Sequence, residues 1–226
     1  MKKIAVAFTI LVLVFAASDA FAANSLAVTN AAAMGPEDGG QCSGGPCGLA
    51  VTLDGSTNPA RVQDDSPNNE SVYRASYWFD PTGLTMAESD YFVIGRWTET
   101  DAGVGSAMLL MVYKNGKYRL FARAANNAAG VFRFTSRINL TAANLIQIEW
   151  TQSTAPATPA GDMVVTILEG PQTGASVAIS DIQGLNNSAR DIDNALMGGV
   201  GNLANAPGTS GVMYFDTFES FRTLAP

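Results

Sequence analysis

The chain contains no histidine in its 226 residues. Without an imidazole there is no Ser–His or Cys–His nucleophile pair, and most catalytic zinc sites lose their usual ligand. Cysteine occurs only twice, at Cys42 and Cys47, too sparsely for a disulfide-built scaffold. Lysine is scarce as well: beyond Lys2 and Lys3 there are only Lys114 and Lys117, and the other nine positive charges are arginine. With 13 positive against 20 negative side chains the net charge is −7. Such an acidic chain is a poor partner for nucleic acid or an anionic membrane. No apolar run after the first residues is long enough to enter a bilayer, and no sustained helical period follows them either.

The N-terminus has its own logic. Lys2 and Lys3 precede an apolar run from Ile4 to Ala17, and Ala20-Phe21-Ala22 is a small-x-small cleavage site. Residues 1–22 are therefore expected to be a secretory signal peptide of bacterial type, delivering the mature chain to the periplasm or the exterior. Removing Lys2, Lys3 and Asp19 leaves 11 positive and 19 negative groups, a net −8. In that compartment Cys42 and Cys47 are expected to form a disulfide. It closes a very short loop, with an entropic stabilisation of about 2 kcal/mol. Residues 23–47, rich in Ala, Gly and Asn, read as a loosely ordered segment ahead of one domain spanning 48–226.

That domain reads as strands. Gly48–Asp54, Val72–Asp80, Tyr91–Trp97, Met108–Tyr113, Tyr118–Arg123, Val131–Ile138, Leu145–Thr151, Met163–Glu169, Ala195–Val200 and Val212–Arg222 are short apolar or alternating runs between Gly, Pro and Asn turns. Lys114-Asn-Gly-Lys117 is a hairpin signal, because Asn and Gly tolerate the positive φ of a type I′ turn. The closing run carries aromatics on both faces, which predicts a central strand. The fold class is all-β: a two-sheet antiparallel jelly-roll sandwich. Phe132, Phe134, Ile146, Ile148, Trp150, Val165, Ile167 and Phe215 are its expected core.

The order of these pieces resembles the concanavalin A-like lectin/glucanase superfamily, and within it the laminin-G-like jelly-roll modules of bacterial surface proteins. The residues carrying the likeness are Tyr73-Arg-Ala-Ser-Tyr-Trp-Phe79 with Asp80-Pro81, Phe92-Val-Ile-Gly95, the Lys114–Lys117 hairpin and Ile146-Gln-Ile-Glu-Trp150. Val165-Thr-Ile-Leu-Glu-Gly170, Leu196-Met-Gly-Gly199 and Met213–Arg222 complete it. Such modules often read Val-Asp-Gly where this chain has Leu168-Glu169-Gly170. Members of the superfamily bind glycans, cleave them, or bind proteins, so the resemblance implies a fold before an activity.

A glycosidase needs two carboxylates at a set separation. The Glu-x-Asp-x-x-Glu strand of laminarinase-like relatives is missing here, and Asp216 and Glu219, three apart, fall on opposite faces of a regular strand. The basic residues are better placed. Arg119, Phe121 and Arg123 share a face on one strand and Arg133, Thr135 and Arg137 on the next; Arg74, Ser76 and Trp78 make a similar face elsewhere. Guanidinium forks suit carboxylates and sulfates, and aromatic faces suit sugar rings. The expected ligand-binding set is Arg119, Phe121, Arg123, Arg133 and Arg137, with Arg74 and Trp78; the alternative is a solvent-facing sheet whose arginines are balanced by neighbouring acids. Asp64 with Asp65, and Asp191 with Asp193, could supply oxygens to calcium or could serve as turn-forming side chains. No other cofactor is expected. The function expected from sequence is non-enzymatic binding of an extracellular, acidic glycan. A structural or adhesive protein that binds another surface protein is the alternative, and a glycan-cleaving hydrolase or lyase the third reading.

Overall fold

A computed structural model of the chain describes residues 25–29, 48–99, 105–128, 131–156, 159–170 and 178–223. The expected signal peptide at residues 1–22 and the expected Cys42–Cys47 disulfide lie outside the described residues. No helix among the described residues is long and apolar enough to cross a membrane.

The strands are, in chain order, β1 (Ser25–Thr29), β2 (Gly48–Asp54), β3 (Ala60–Asp64), β4 (Val72–Asp80), β5 (Leu84–Thr85), β6 (Tyr91–Thr98), β7 (Gly105–Lys114) and β8 (Lys117–Ala125). They continue with β9 (Phe132–Phe134), β10 (Ile138–Leu140), β11 (Asn144–Thr151), β12 (Gly161–Glu169), β13 (Ala178–Leu185), β14 (Asn194–Gly201) and β15 (Ser210–Phe221). One sheet runs β1-β2-β15-β4-β11-β12-β13, with β5 against β15; the other runs β10-β8-β7-β6-β14-β3, with β9 against β8. All strand pairs described are antiparallel. The architecture is the two-sheet jelly-roll sandwich expected from the strand pattern. The segment read as loosely ordered contributes an edge strand, β1, paired with β2.

Alternation builds the core. Tyr73, Ala75, Tyr77 and Phe79 of β4 point inward beside Ile146, Ile148 and Trp150 of β11 and Met163, Val165 and Ile167 of β12. They meet Phe92, Ile94, Leu109, Met111, Leu120 and Ala122 of the facing sheet. The closing strand β15 lies between β2 and β4, as its two-faced aromatic pattern demands. Phe215 packs on Phe79 and Tyr77, with ring centroids 5.0 and 5.9 Å apart.

Two irregularities overturn face assignments made by strict alternation. On β15, Asp216 faces Trp78 and Glu219 faces Ser76, so three steps match two on β4. The inserted residue sits where Thr217 adopts φ 52°, its N–H donating to the Asp216 carboxylate at 2.7 Å. Phe218 therefore turns inward onto Tyr77, at 6.2 Å, and Phe221 turns outward under Arg74. The second break divides the run Val131–Ile138. Thr135 N–H donates to Ala122 O while Ile138 faces Leu120, again three steps against two. The expectation that Phe132 and Phe134 are core residues is corrected: Phe132 is only half-buried and Phe134 is 56% exposed, because both face away from the facing sheet.

Candidate functional site

The second sheet has an outer face, and it is not an ordinary polar one. Successive cross-strand partners lay down three rows. Arg96, Met108, Arg123 and Phe134 form the first, on β6, β7, β8 and β9. Val93, Leu110 and Phe121 form the second; Tyr91, Val112, Arg119 and Asn139 form the third. Val93, Met108, Leu110, Leu196 and Val200 make a small apolar cluster there, with Tyr91 and Phe121 against it. This explains why β7 reads as a continuous apolar run from Met108 to Val112: it is covered on both faces.

The β8–β10 end of this face holds a groove of about 470 Å³ whose lining includes Tyr91, Val112, Lys114, Phe121, Phe134 and Arg137. Three devices shape it. The Asn115–Gly116 turn, with φ 53° and 71°, brings Lys114 to the rim, and the Glu88 carboxylate accepts the Asn115 N–H at 3.0 Å. Asp90 accepts the Ala87 N–H at 3.2 Å and the Thr209 hydroxyl at 3.0 Å, tying down the loop before Tyr91. The break at Thr135 carries Arg137 over the Phe121 ring, its guanidinium carbon 5.4 Å from the centroid. Phe121 and Phe134 are 6.3 Å apart, and Arg123 lies 4.0 Å over Phe132 while donating to Met108 Sδ at 2.9 Å.

The electrostatics are those of a basic strip held partly out of water. Burial lowers the Arg123 guanidinium from its ordinary range, and Arg96 beside it lowers it further. Burial likewise lowers Arg96, with Arg61 adding to the effect. Arg119 Nε is buried without a hydrogen-bond partner. Among the described residues the ion pairs are Arg190–Glu99 at 2.7 Å and Arg222–Glu70 at 3.1 Å; none involves Arg119, Arg123 or Arg137.

Of the residues singled out from sequence, the structure brings Arg119, Phe121, Arg123 and Arg137 together on this face. Arg133 does not join them. It stands opposite Ala124, on the inward side of β8, and donates to Gln183 O of the first sheet at 3.2 Å. Arg74 and Trp78 are on the outer face of the first sheet, across the sandwich; Arg74 stacks on Phe221 at 4.3 Å and Trp78 is 8% exposed. Tyr91, Arg96, Lys114 and Phe134 were not anticipated. Arg96 follows a register shift between Val93 and Gly95, which strict alternation does not signal.

The two acidic loops come close to one another, since β3 pairs with β14 and Glu70 bridges to Ile192. Their carboxylates serve turns and loop ties: Asp64 accepts Ser66 N–H, Asp65 accepts the Gln63 amide and Asp193 accepts Asn69 N–H. Among the described residues no group of three or more metal-ligating side chains is assembled. Burial, then Asp193 and Glu99, push the Asp191 carboxyl above its ordinary range.

No family model matches the chain, and no curated protein matches it. Solved structures do. The chain is similar to the cellulose-induced protein Cip1, with 10% identity, 92% of this chain and 89% of that one covered, and a TM-score of 0.50. An alginate lyase of Pseudomonas aeruginosa follows at 10% identity, 78% and 83% coverage and TM-score 0.47. A legume lectin-like domain of Entamoeba histolytica gives 6%, 78% and 79%, and 0.39. At such identities the likeness concerns the fold, and that fold is the concanavalin A-like two-sheet jelly-roll sandwich.

Proposed function

We propose that the protein binds an acidic glycan along the outer face of its second sheet, with the sugar rings on Phe121, Phe134 and Tyr91 and the acid groups on Arg123, Arg137 and Lys114. One observation carries the reading: the exposed Arg137 guanidinium shares the groove wall with Tyr91, Phe121 and Phe134, half-buried Arg123 stands beside it opposite Phe134, and neither arginine has a carboxylate partner among the described residues. Like charges held together away from water oppose one another, and a carboxylate or sulfate from a ligand relieves that repulsion. Planar forks also match such groups better than ammonium ions do. The names of the similar structures, a cellulose-induced protein, an alginate lyase and a lectin-like domain, agree with a carbohydrate partner. The export signal read at residues 1–22 would carry the face to extracellular glycans.

Among the described residues no carboxylate lines the groove, which favours binding over two-carboxylate hydrolysis. The test is calorimetric titration with alginate, polygalacturonate, a sulfated glycan and a neutral β-glucan at two salt concentrations. Binding of the acidic polymers, weakened by salt, supports the proposal. Equal binding of the neutral glucan, or no binding of any polymer, overturns it. Release of an unsaturated, ultraviolet-absorbing product from a uronate polymer would make the face an active site of lyase type.

A further inference from the structure

A second cavity lies inside the sandwich, away from the arginine face. It has a volume of about 220 Å³ and is lined by residues of β3, β4, β6, β14 and β15, among them Val62, Tyr77, Gly95, Trp97, Met197 and Phe218. The bulge at Thr217 helps create it by turning Phe218 inward onto Tyr77. A side chain at Gly95 would reach 3.1 Å from the Trp97 ring and 3.5 Å from Tyr77 Oη, so glycine there keeps room beside the hydroxyl. Val62 and Phe218 are 40% and 36% exposed, which leaves the cavity an apolar edge in contact with solvent.

The wall contains two residues with a buried polar group that lacks a hydrogen-bond partner, Trp97 at its indole N–H and Tyr77 at its hydroxyl. Tyr77 is 1% exposed, yet its hydroxyl has no hydrogen-bond partner. Burial raises the phenol above its ordinary range, so it stays protonated and able to donate. An unpaired buried hydroxyl is costly and calls for either water or a ligand. Water is the poorer occupant, because a buried water needs two to four polar partners and most of this wall is carbon. A dry apolar cavity of about 150 Å³ already admits a benzene-sized molecule. The Asp64 carboxylate near the edge disfavours an anion.

We infer that this cavity is a binding pocket for a small neutral molecule, an apolar body of about one six-membered ring with a hydrogen-bond acceptor that takes the Tyr77 hydroxyl. The proposal is independent of the glycan reading. The probes are cyclohexanone, which carries an acceptor, and methylcyclohexane, which has the same shape without one. Titration is followed by the Gly95 amide and Trp97 indole resonances. Both probes are expected to shift these signals in the wild-type protein. Tyr77→Phe should weaken cyclohexanone about tenfold and leave methylcyclohexane unchanged, since only the donor is lost. Gly95→Ala, which fills the space, should weaken both. Absence of any shift at Gly95 and Trp97, with the cavity holding ordered water or another part of the chain, overturns the inference. Equal weakening of both probes by Tyr77→Phe overturns it too.

Discussion

Phe215→Ala tests the position of the closing strand. Phe215 is fully buried on β15, directly opposite Phe79 on β4 and Leu49 on β2, and it also contacts Tyr77. A buried phenylalanine removes about 200 Å² from water, worth about 5 kcal/mol at ~25 cal/mol per Å². Alanine retains about 2 kcal/mol of that, and the two tilted ring contacts add back about 1 kcal/mol. The expected loss is about 4 kcal/mol, within the range measured for Phe→Ala in cores. For a domain of this size each kcal/mol moves Tm by about 2–4 °C, so Tm should fall by roughly 8–16 °C. Phe218→Ala is the control three residues on. That ring is 36% exposed and stacks on Tyr77 alone, so its loss should cost about 1 kcal/mol. Chemical denaturation of the two variants gives both values. Equal losses, or a larger one for Phe218→Ala, would refute the bulge and the central place of Phe215.

Other outcomes follow from the same geometry. Thr217→Gly should stabilise by about 0.5 kcal/mol, because a β-branched residue at φ 52° is strained and glycine is not, less the entropy glycine loses on folding; a Tm scan reads it. Asp191→Asn should raise Tm at neutral pH. The folded carboxyl is raised by burial and by Asp193 and Glu99, so its contribution is fully present below the unfolded pKa and lost as pH rises through the folded one. The gain should vanish near about pH 3, where the carboxyl is protonated in both states. Arg190→Met should destabilise by about 2 kcal/mol, since it removes the charged hydrogen bond to Glu99 at 2.7 Å, leaving that carboxylate only the longer Ser106 hydroxyl contact at 3.4 Å, and takes the Nε donor from Asn126 O at 3.1 Å; urea unfolding is the measurement.

The strands of this fold were legible because most obey alternation without interruption. Val72–Asp80 and Leu145–Thr151 keep strict period two, and each side chain fell on the expected face. The face of the arginines was legible only in part. Arg119 and Arg123 sit on a regular strand and were placed correctly; Arg133 and Arg137 straddle a break that inserts one residue. That insertion leaves no mark in the sequence: Thr135, Ser136 and Arg137 include neither Gly nor Pro. The bulge at Thr217 is hidden in the same way, since its positive φ falls on a threonine where glycine or asparagine would signal it. Strand β3 escaped notice because Ala60-Arg-Val-Gln-Asp64 lies at a sheet edge and shows three exposed residues in five. Trp78 and Arg74 were grouped with the other arginines by residue type, while sheet order, which single strands do not encode, puts them across the sandwich.

The account rests on one surface, and residue-resolved mapping of ligand contact tests it directly. An oligouronate titrated into isotope-labelled protein should shift the amides of Tyr91, Lys114, Phe121, Phe134 and Arg137. Arg123→Ala and Arg137→Ala should each weaken binding by about tenfold or more, the loss of a charged hydrogen bond, while Arg133→Ala leaves it unchanged. Shifts confined to the face bearing Arg74 and Trp78, or an Arg133→Ala variant as impaired as Arg123→Ala, would contradict it.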